Sequence, residues 1–490
     1  MSYYLLTGAT GLLGNYLLRD LLLADVPVAV VVRSSRRQTA RQRIELLLAE
    51  WEEHFARVFP RPVVLEGDIA ETDLGLEACD VRWAAENCRA VIHNAASLSF
   101  QATSRDGEPF RSNEVGTRNL LDLCRSLAVR ELHHVSTAYV AGLRHGRVLE
   151  SEVDVGQRLG NDYERSKLAA EMMVHAADFI PSRTVYRPAI IIGDSQTGFT
   201  TTYHGFYAAL QLAYTIVKAI PADETGSVGG YRIRLALDGN ETKHLVPVDW
   251  VSAVMAHIIR HPQWHGRTYH LTPRHPVTTR LIRDVLEQSV GFYGTEFSGA
   301  GRRPDDCNDI EAVFYEHIRV YDSYWRMDPE FDRTNTEAAA PHLPCPHVDR
   351  SLLMRLSRVA IEQEFPTPSK KPVELDFDAQ EVLQPWLERG AQLTLRQPRE
   401  RALALDVRGP GGGQWQLLIH NGQIIGAETG IHAEHSAVCR IEAATLADLA
   451  RGKQSLDDAL AHGQLEFVGN GLSAREYTTL LDQLLGVEVA

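Results

Sequence analysis

The sequence predicts an α/β protein in which a doubly wound parallel sheet is followed by a smaller α+β domain. Three observations predict it. Short apolar runs alternate with longer helix-period segments over the first part of the chain. A glycine-rich turn joins the first run to the first periodic segment. A stretch with two prolines and two lysines, Phe365–Lys371, precedes a region of different pattern.

Taken in order, Tyr3–Thr7 reads as a strand and Leu12–Leu23 as a helix. Val28–Val32 is an unbroken β-branched run, as a strand buried on both faces requires. Arg41–Phe59 reads as a helix, Val63–Leu65 and Ala90–His93 as strands, Asn113–Leu127 as a helix and Leu132–Val135 as a strand. From Thr197 to Lys243 the alternation is lost and aromatic and glycine residues cluster, which suits a substrate pocket. Trp250–Arg260, Thr279–Ser289 and Arg350–Glu364 look helical. The expected division is a first domain over 1–365, with its pocket-forming part mainly at 195–345, a linker at 366–371, and a second domain over 372–490. In that last part Trp415–Ile419, Asn421-Gly422 and Gln423–Ile425 predict a hairpin, and Thr445–Leu449 and Ser473–Leu485 predict helices.

A chain of 490 residues exceeds one ordinary core. Its apolar content of 44% and charged content of 23% are those of a folded globular protein. A formal net charge of -14 argues against nucleic acid as a partner. The six cysteines are scattered without a Cys-x-x-Cys pair, which fits reduced thiols and a cytoplasmic location. The first residues read as a strand, not a signal peptide, and no apolar run reaches the ~18 residues of a membrane span, which leaves only peripheral membrane contact.

Thr7-Gly8-Ala9-Thr10-Gly11-Leu12-Leu13-Gly14 lies between the first strand and the first helix. Glycines at three-residue spacing let the chain turn tightly, approach a pyrophosphate and pack helix on strand, and the helix N-terminus offers free N–H groups. Gly8, Thr10, Gly11, Leu12, Leu13 and Gly14 are therefore expected at a dinucleotide. The second strand ends in Arg33, where a carboxylate would serve ribose hydroxyls. A guanidinium pairs with a 2′-phosphate, so the sequence favours NADPH, with Arg43 as a second contributor. Asp68 and Ile69 are expected to edge the adenine, and Asn94, Ala95 and Ala96 supply small residues where the cofactor comes close.

Tyr163 and Lys167 are four residues apart and share a helix face. An ammonium beside a phenol, whose ordinary pKa is about 10, favours tyrosinate and helps proton transfer near neutrality. Thr137 ends the fifth strand and offers a hydroxyl to a substrate oxygen, and Asn113 offers an amide to hold water or backbone.

With these residues in place, the chain resembles the extended short-chain dehydrogenase/reductases, a Rossmann-fold superfamily, over about residues 1–360. The stretches His134–Val140, Tyr163…Lys167, Tyr186–Asp194 and Leu245–Asp249 are most similar to its fatty acyl-CoA reductase and thioester reductase branch. That resemblance implies Thr137, Tyr163 and Lys167 as catalytic residues, with Asn113 as a fourth, and places Arg187, Pro188, Ala189 and Ile190 along the nicotinamide with Lys167 on its ribose. Trp415–Ile419, Ala444–Lys453 and His462–Asn470 resemble a sterol-carrier-protein-2-like domain, which implies a five-stranded sheet with helices around a lipid-holding tunnel.

The function expected is NADPH-dependent reduction of a lipid-like carbonyl. An acyl thioester on CoA or an acyl carrier protein would go to the aldehyde, with a further step to the alcohol left open. Two alternatives stand beside it: turnover of a preformed ketone, aldehyde or sterol alcohol, and a non-catalytic NADPH-sensing or lipid-binding protein. A homodimer is compatible with the sequence. No metal is expected, since His342, Cys345 and His347 are too few for a closed site. Tyr315, Tyr321, Tyr324, Trp325 and Phe331 read as core or lid, and His133 and His134 as packing residues.

Overall fold

Alternate residues of Tyr3–Thr7 (β1) enter opposite cores: Tyr4 and Leu6 pack on one face and Tyr3 and Leu5 on the other. Val28–Val32 (β2) repeats the division, with Val28, Val30 and Val32 on the first face and Ala29 and Val31 on the second. A strand with both faces covered must be apolar throughout, which is why these runs show no polar alternation. Val63–Glu66 (β3), Cys88–His93 (β4), Glu131–Val135 (β5), Ser182–Pro188 (β6) and Thr268–Leu271 (β7) complete a seven-stranded sheet. Its order is β7-β6-β5-β4-β1-β2-β3, with every neighbouring pair parallel.

This computed structural model describes residues 2–219, 232–365, 375–393, 401–431, 435, 437–469 and 474–486, so the linker expected at 366–371 lies outside the described residues. Leu12–Leu23 (α1) and Ala40–Phe55 (α2) cover one face of the sheet. Ala78–Asn87 (α3), Gly116–Ser126 (α4) and Asp162–His175 (α5) cover the other. Past β6 come Phe206–Ala219 (α6), Val248–Ile259 (α7), Thr279–Val290 (α8), Asp309–Ile318 (α9) and Arg350–Glu362 (α10). α7 returns to the α1 face, while α6, α8 and α10 share a separate core built on Phe206, Leu210, Val285, Leu353 and Leu356.

Three expectations need correction here. The helix expected over Arg41–Phe59 stops at Phe55, because Ala56 turns left-handed and Pro60 and Pro62 follow. Asn113 does not open α4; it sits in a π-helical turn, Arg111–Val115, just before it. The stretch Thr197–Lys243, expected to be irregular, contains α6.

The C-terminal part builds a second core. Arg401–Arg408 (β8), Gly413–His420 (β9), Gln423–Thr429 (β10), Ala437–Glu442 (β11) and Leu465–Val468 (β12) form a mixed sheet in the order β10-β9-β8-β11-β12. Asn421 and Gly422 both take positive φ at the β9–β10 turn, as a two-residue hairpin requires. Ala379–Gln392 (α11), Ala443–Ala450 (α12), Leu456–Ala461 (α13) and Ala474–Leu485 (α14) surround it. Trp386, Leu403, Leu417, Leu446 and Leu481 fill the interior. The two cores meet at a polar seam. The Tyr3 hydroxyl donates to Gln414 Oε1 (2.8 Å) and accepts from the Ile431 N–H (2.7 Å). Trp83 Nε1 donates to the Thr429 carbonyl (2.6 Å).

The sheet order reverses between β1 and β4, so their C-terminal ends splay apart and leave a crevice. What holds its floor is close packing of α1: a Cβ on Gly14 would lie 2.0 Å from the Gly8 carbonyl oxygen. Gly14→Ala is expected to cost about 1–3 kcal/mol or more by overpacking, read as a lower urea midpoint; a midpoint equal to that of the unsubstituted protein would contradict this packing.

Candidate active site

Gly8 follows β1 with φ +74°, and a Cβ there would meet Ala95 N at 2.6 Å. Only glycine allows this approach of the first turn to the end of β4. Two hydrogen bonds lock it: Asn94 Nδ2 donates to the Gly8 carbonyl (3.1 Å), and Ala95 N–H donates to Thr7 Oγ1 (3.2 Å). By contrast, a Cβ on Gly11 would meet nothing closer than the Gly8 oxygen at 3.5 Å, which leaves open space over the helix start. Gly11 caps α1 with no side-chain hydrogen bond, so the first-turn N–H groups keep their capacity to bind an anion. This cradle fits a pyrophosphate.

At the β2 end the Arg33 side chain is 66% exposed and touches Asp68 Oδ2 at 3.4 Å. Arg43 reaches back along it, donating to the Arg33 carbonyl (2.6 Å) and to Thr10 Oγ1 (3.0 Å). Burial, then the neighbouring Arg33 charge, push the Arg43 pKa down. Two guanidiniums stand at one edge, with Asp68 beside Arg33, and this donor set is one that can pair with a phosphate. Ile69 packs against Gly116, where a Cβ would be 2.9 Å away, and fixes the floor beneath this edge.

Asn161 caps α5 by accepting the Glu164 N–H (2.9 Å), which starts the helix one residue before Tyr163 turns into it. Tyr163 and Lys167 then lie one turn apart. Thr137, just past β5, lines the cavity with Tyr163 and favours ionisation of the Tyr163 hydroxyl. That hydroxyl is desolvated, which raises its pKa to about 12 against the lowering effect of Thr137. Lys167 is buried; Nζ donates to the Val135 carbonyl (2.7 Å), and desolvation lowers its pKa to about 8 although Glu171 pulls it up. The three groups converge on one wall of the crevice. Lys167 is held by the Val135 backbone, a detail that spacing alone does not show.

Two expected site residues are elsewhere. Arg187 is fully buried under the sheet end, pointing away from the crevice. Its Nη2 lies 2.5 Å from Glu171 Oε1 and donates to the Glu152 carbonyl (2.7 Å). Burial would raise the Glu171 pKa, but Arg187, His175 and Ser136 outweigh it and hold it at about 2. Arg187 is thus a structural ion-pair partner, while Pro188, Ala189 and Ile190 do line the crevice. Asn113 is buried too: Nδ2 donates to Ser166 Oγ (2.9 Å) and the Ser97 carbonyl (3.1 Å), and Oδ1 accepts the Ser97 N–H (2.8 Å). It pins the loop after β4 to α5 behind the Tyr163 wall.

The remaining expected residues, Gly8, Thr10, Gly11, Leu12, Leu13, Arg33, Arg43, Asp68, Ile69, Asn94, Ala95, Ala96, Thr137, Tyr163 and Lys167, all line a single cavity of about 1040 Å³. Gly14 supports it from below. Beyond Tyr163 the cavity continues into an apolar passage between α6, α8 and α9, walled by Leu212, Ile216, Leu235, Leu286, Phe314 and Trp325. Phe100 stands at its mouth, with ring centroids 5.7 Å from Tyr163, 5.2 Å from Tyr321 and 5.5 Å from Tyr324. Lys243 also faces the cavity and pairs with Asp328 (2.6 Å), which accepts the Tyr139 hydroxyl (2.8 Å). The α6 wall and Lys243 fall within Thr197–Lys243, the stretch expected to build a substrate pocket, although neither a helix nor Lys243 itself is singled out there by the sequence; Phe100 is not among the expected residues. A trio of Glu131, His133 and His265, with ligand atoms within 4.8 Å of one another, sits at the opposite end of β5 from this wall.

An all-parallel seven-stranded sheet with a glycine-rich first turn at its switch point is the frame of an extended short-chain dehydrogenase/reductase, an NAD(P)-dependent oxidoreductase. Residues 6–255 match the model of the male sterility protein family, and the chain belongs to that family. It is 30% identical over 288 residues to the nonribosomal peptide synthetase asaC of Aspergillus flavus, covering 55% of this chain and 26% of that protein. It is 28% identical over 395 residues to the aldehyde reductase lnaA of the same organism, covering 72% and 35%. The chain thus spans about a third or less of the length of these relatives. Among solved structures, the terminal R domain from the myxalamid PKS-NRPS biosynthetic pathway matches with 26% identity and a TM-score of 0.61, covering 76% of this chain and 93% of that one.

Lys167 titrates near pH 8 in the folded chain, against an ordinary 10.5. Between these values the unfolded chain binds more protons, so this residue makes stability rise with pH through that window. Lys167→Met is expected to lose that rise in urea unfolding measured without nucleotide between pH 8 and 10.5. Parallel curves for the two proteins would contradict a desolvated amine.

Proposed function

We propose that this protein is an NADPH-dependent reductase of acyl thioesters, taking a lipid-like acyl group on CoA or a carrier protein to the aldehyde. The observation that carries the reading is the continuity of the crevice: Thr137, Tyr163 and Lys167 stand where the glycine-lined cradle opens into the apolar passage. An aliphatic chain lying in that passage brings its carbonyl to the Tyr163 wall. The similarity to a nonribosomal peptide synthetase and to a terminal R domain supports a carrier-bound acyl group as substrate.

A bound reduced nicotinamide supplies the hydride. Thr137 and Tyr163 hydrogen-bond the carbonyl oxygen, and Tyr163 hands its proton to the oxygen as negative charge develops there. Lys167 keeps positive potential behind the wall, anchored on Val135. The hemithioacetal so formed expels the thiol and leaves the aldehyde. Phe100 and Tyr321 shield the mouth from water. The first-turn N–H groups and Thr10 hold the pyrophosphate, and Arg33 with Arg43 hold the 2′-phosphate that selects NADPH. For the C-terminal part, the five-stranded sheet wrapped by helices supports the sterol-carrier-like reading of its fold.

A second reading, reduction of a free aldehyde, draws on the similarity to lnaA. Release of free thiol from acyl-CoA and acyl-loaded carrier protein, assayed with NADPH, decides between them. The thioester reading expects thiol in step with NADPH consumption, and Tyr163→Phe is expected to lower kcat about 10²–10⁴-fold. NADPH consumption with aldehydes alone would overturn it. Arg33→Ala is expected to raise KM for NADPH about tenfold or more while leaving that for NADH unchanged; equal effects on both would remove Arg33 from phosphate recognition.

A further inference from the structure

Of the two guanidiniums assigned above to a 2′-phosphate, Arg33 lies in the segment between β2 and α2 and Arg43 at the start of α2, and residues 33–37 are exposed. Their order comes from polar bonds. Ser34 Oγ accepts the Ala40 N–H (3.0 Å), Ser35 Oγ accepts the Gln38 N–H (3.0 Å), and Thr39 with Gln42 forms a capping box at the start of α2. In the first turn of α2, two arginines face opposite ways. Arg43 reaches inward to the Arg33 carbonyl and to Thr10.

Arg41 reaches outward, across the seam to the C-terminal body. Its Nη2 lies 2.7 Å from Asp378 Oδ1 and donates to the Gly412 carbonyl (3.2 Å), and Nη1 donates to Gln380 Oε1 (2.6 Å). These acceptors are fixed before Arg41 arrives. Asp378 caps α11 by accepting the Gln380 N–H (2.8 Å), and the Gly411 carbonyl accepts the Ala379 N–H (2.9 Å). Gly411 takes φ +79° with Phe377 O pressed where a Cβ would be, so its loop has little freedom. A planar fork meeting several preset acceptors fixes position and not only charge. Arg41, paired with Asp378, does not line the cavity; Arg33 and Arg43 do.

We propose that the C-terminal body braces the phosphate-reading segment of the cofactor crevice, with Arg41 and Asp378 as positioning residues that set Arg43 and Arg33 for a 2′-phosphorylated adenine nucleotide. This rests on the NADPH reading given above. It gives the C-terminal body an action on the nucleotide site that is separate from any lipid it holds.

The test is calorimetric binding of 2′,5′-ADP and of ADP to the full chain, with no turnover involved. Arg41→Ala and Asp378→Ala are each expected to weaken 2′,5′-ADP about fivefold, the double variant no more than either single one, and ADP to be unaffected. Arg41→Lys, which keeps charge but loses the fork, is expected to recover only part. Asp378→Asn keeps the helix cap and serves if the alanine variant fails to fold. Unchanged 2′,5′-ADP affinity in the variants, equal weakening of both nucleotides, or additive losses would overturn the brace while leaving the NADPH reading intact. An unsubstituted protein that binds 2′,5′-ADP no better than ADP would overturn both.

Discussion

A desolvated ammonium is the constraint around which the Tyr163 wall of the crevice is built. Taking Lys167 out of water is costly unless hydrogen bonds and opposite charge compensate. The Val135 carbonyl at the end of β5 supplies the bond, and Glu171, one turn further along α5, supplies the charge. Glu171 is itself kept ionised by Arg187 from β6 and by Ser136. One chain of contacts thus links two strand ends and a helix, and it sets where α5 sits. Tyr163 and Thr137 inherit their positions from it.

The same economy of placement governs the nucleotide end. Backbone approach at Gly8 and Gly14 leaves no room for adjustment, whereas residues 33–37 beside it are exposed, with polar bonds at Ser34 and Ser35. The rigid part suits a pyrophosphate common to all dinucleotides. The adjustable part suits the one phosphate that distinguishes them, and it is this part that the C-terminal body touches through Arg41.

Much of this was legible in the chain itself, for identifiable reasons. β1, β2 and α1 lie where their apolar runs and glycines indicate, because burial on both faces leaves no other composition. α6 was hidden for the opposite reason. It contacts the core on one side and the apolar passage on the other, so Phe206–Val217 is apolar around most of its circumference. α11 carries Pro385 within it, which reads as a helix breaker. Arg187 was misplaced because a strand alternates its faces: Pro188 lines the crevice, and its neighbour must point to the other side, where Glu171 waits. The Lys243–Asp328 pair joins residues 85 apart, and no local spacing announces it.

The central claim is that electrons pass from a nicotinamide in the glycine-lined crevice to a carbonyl at the Tyr163 wall. Mass spectrometry of the aldehyde formed from an acyl thioester with NADPH deuterated at C4 tests it most directly. The account predicts deuterium on the former carbonyl carbon of the product. An aldehyde formed without label, from cofactor that is labelled on both faces of C4, would contradict it.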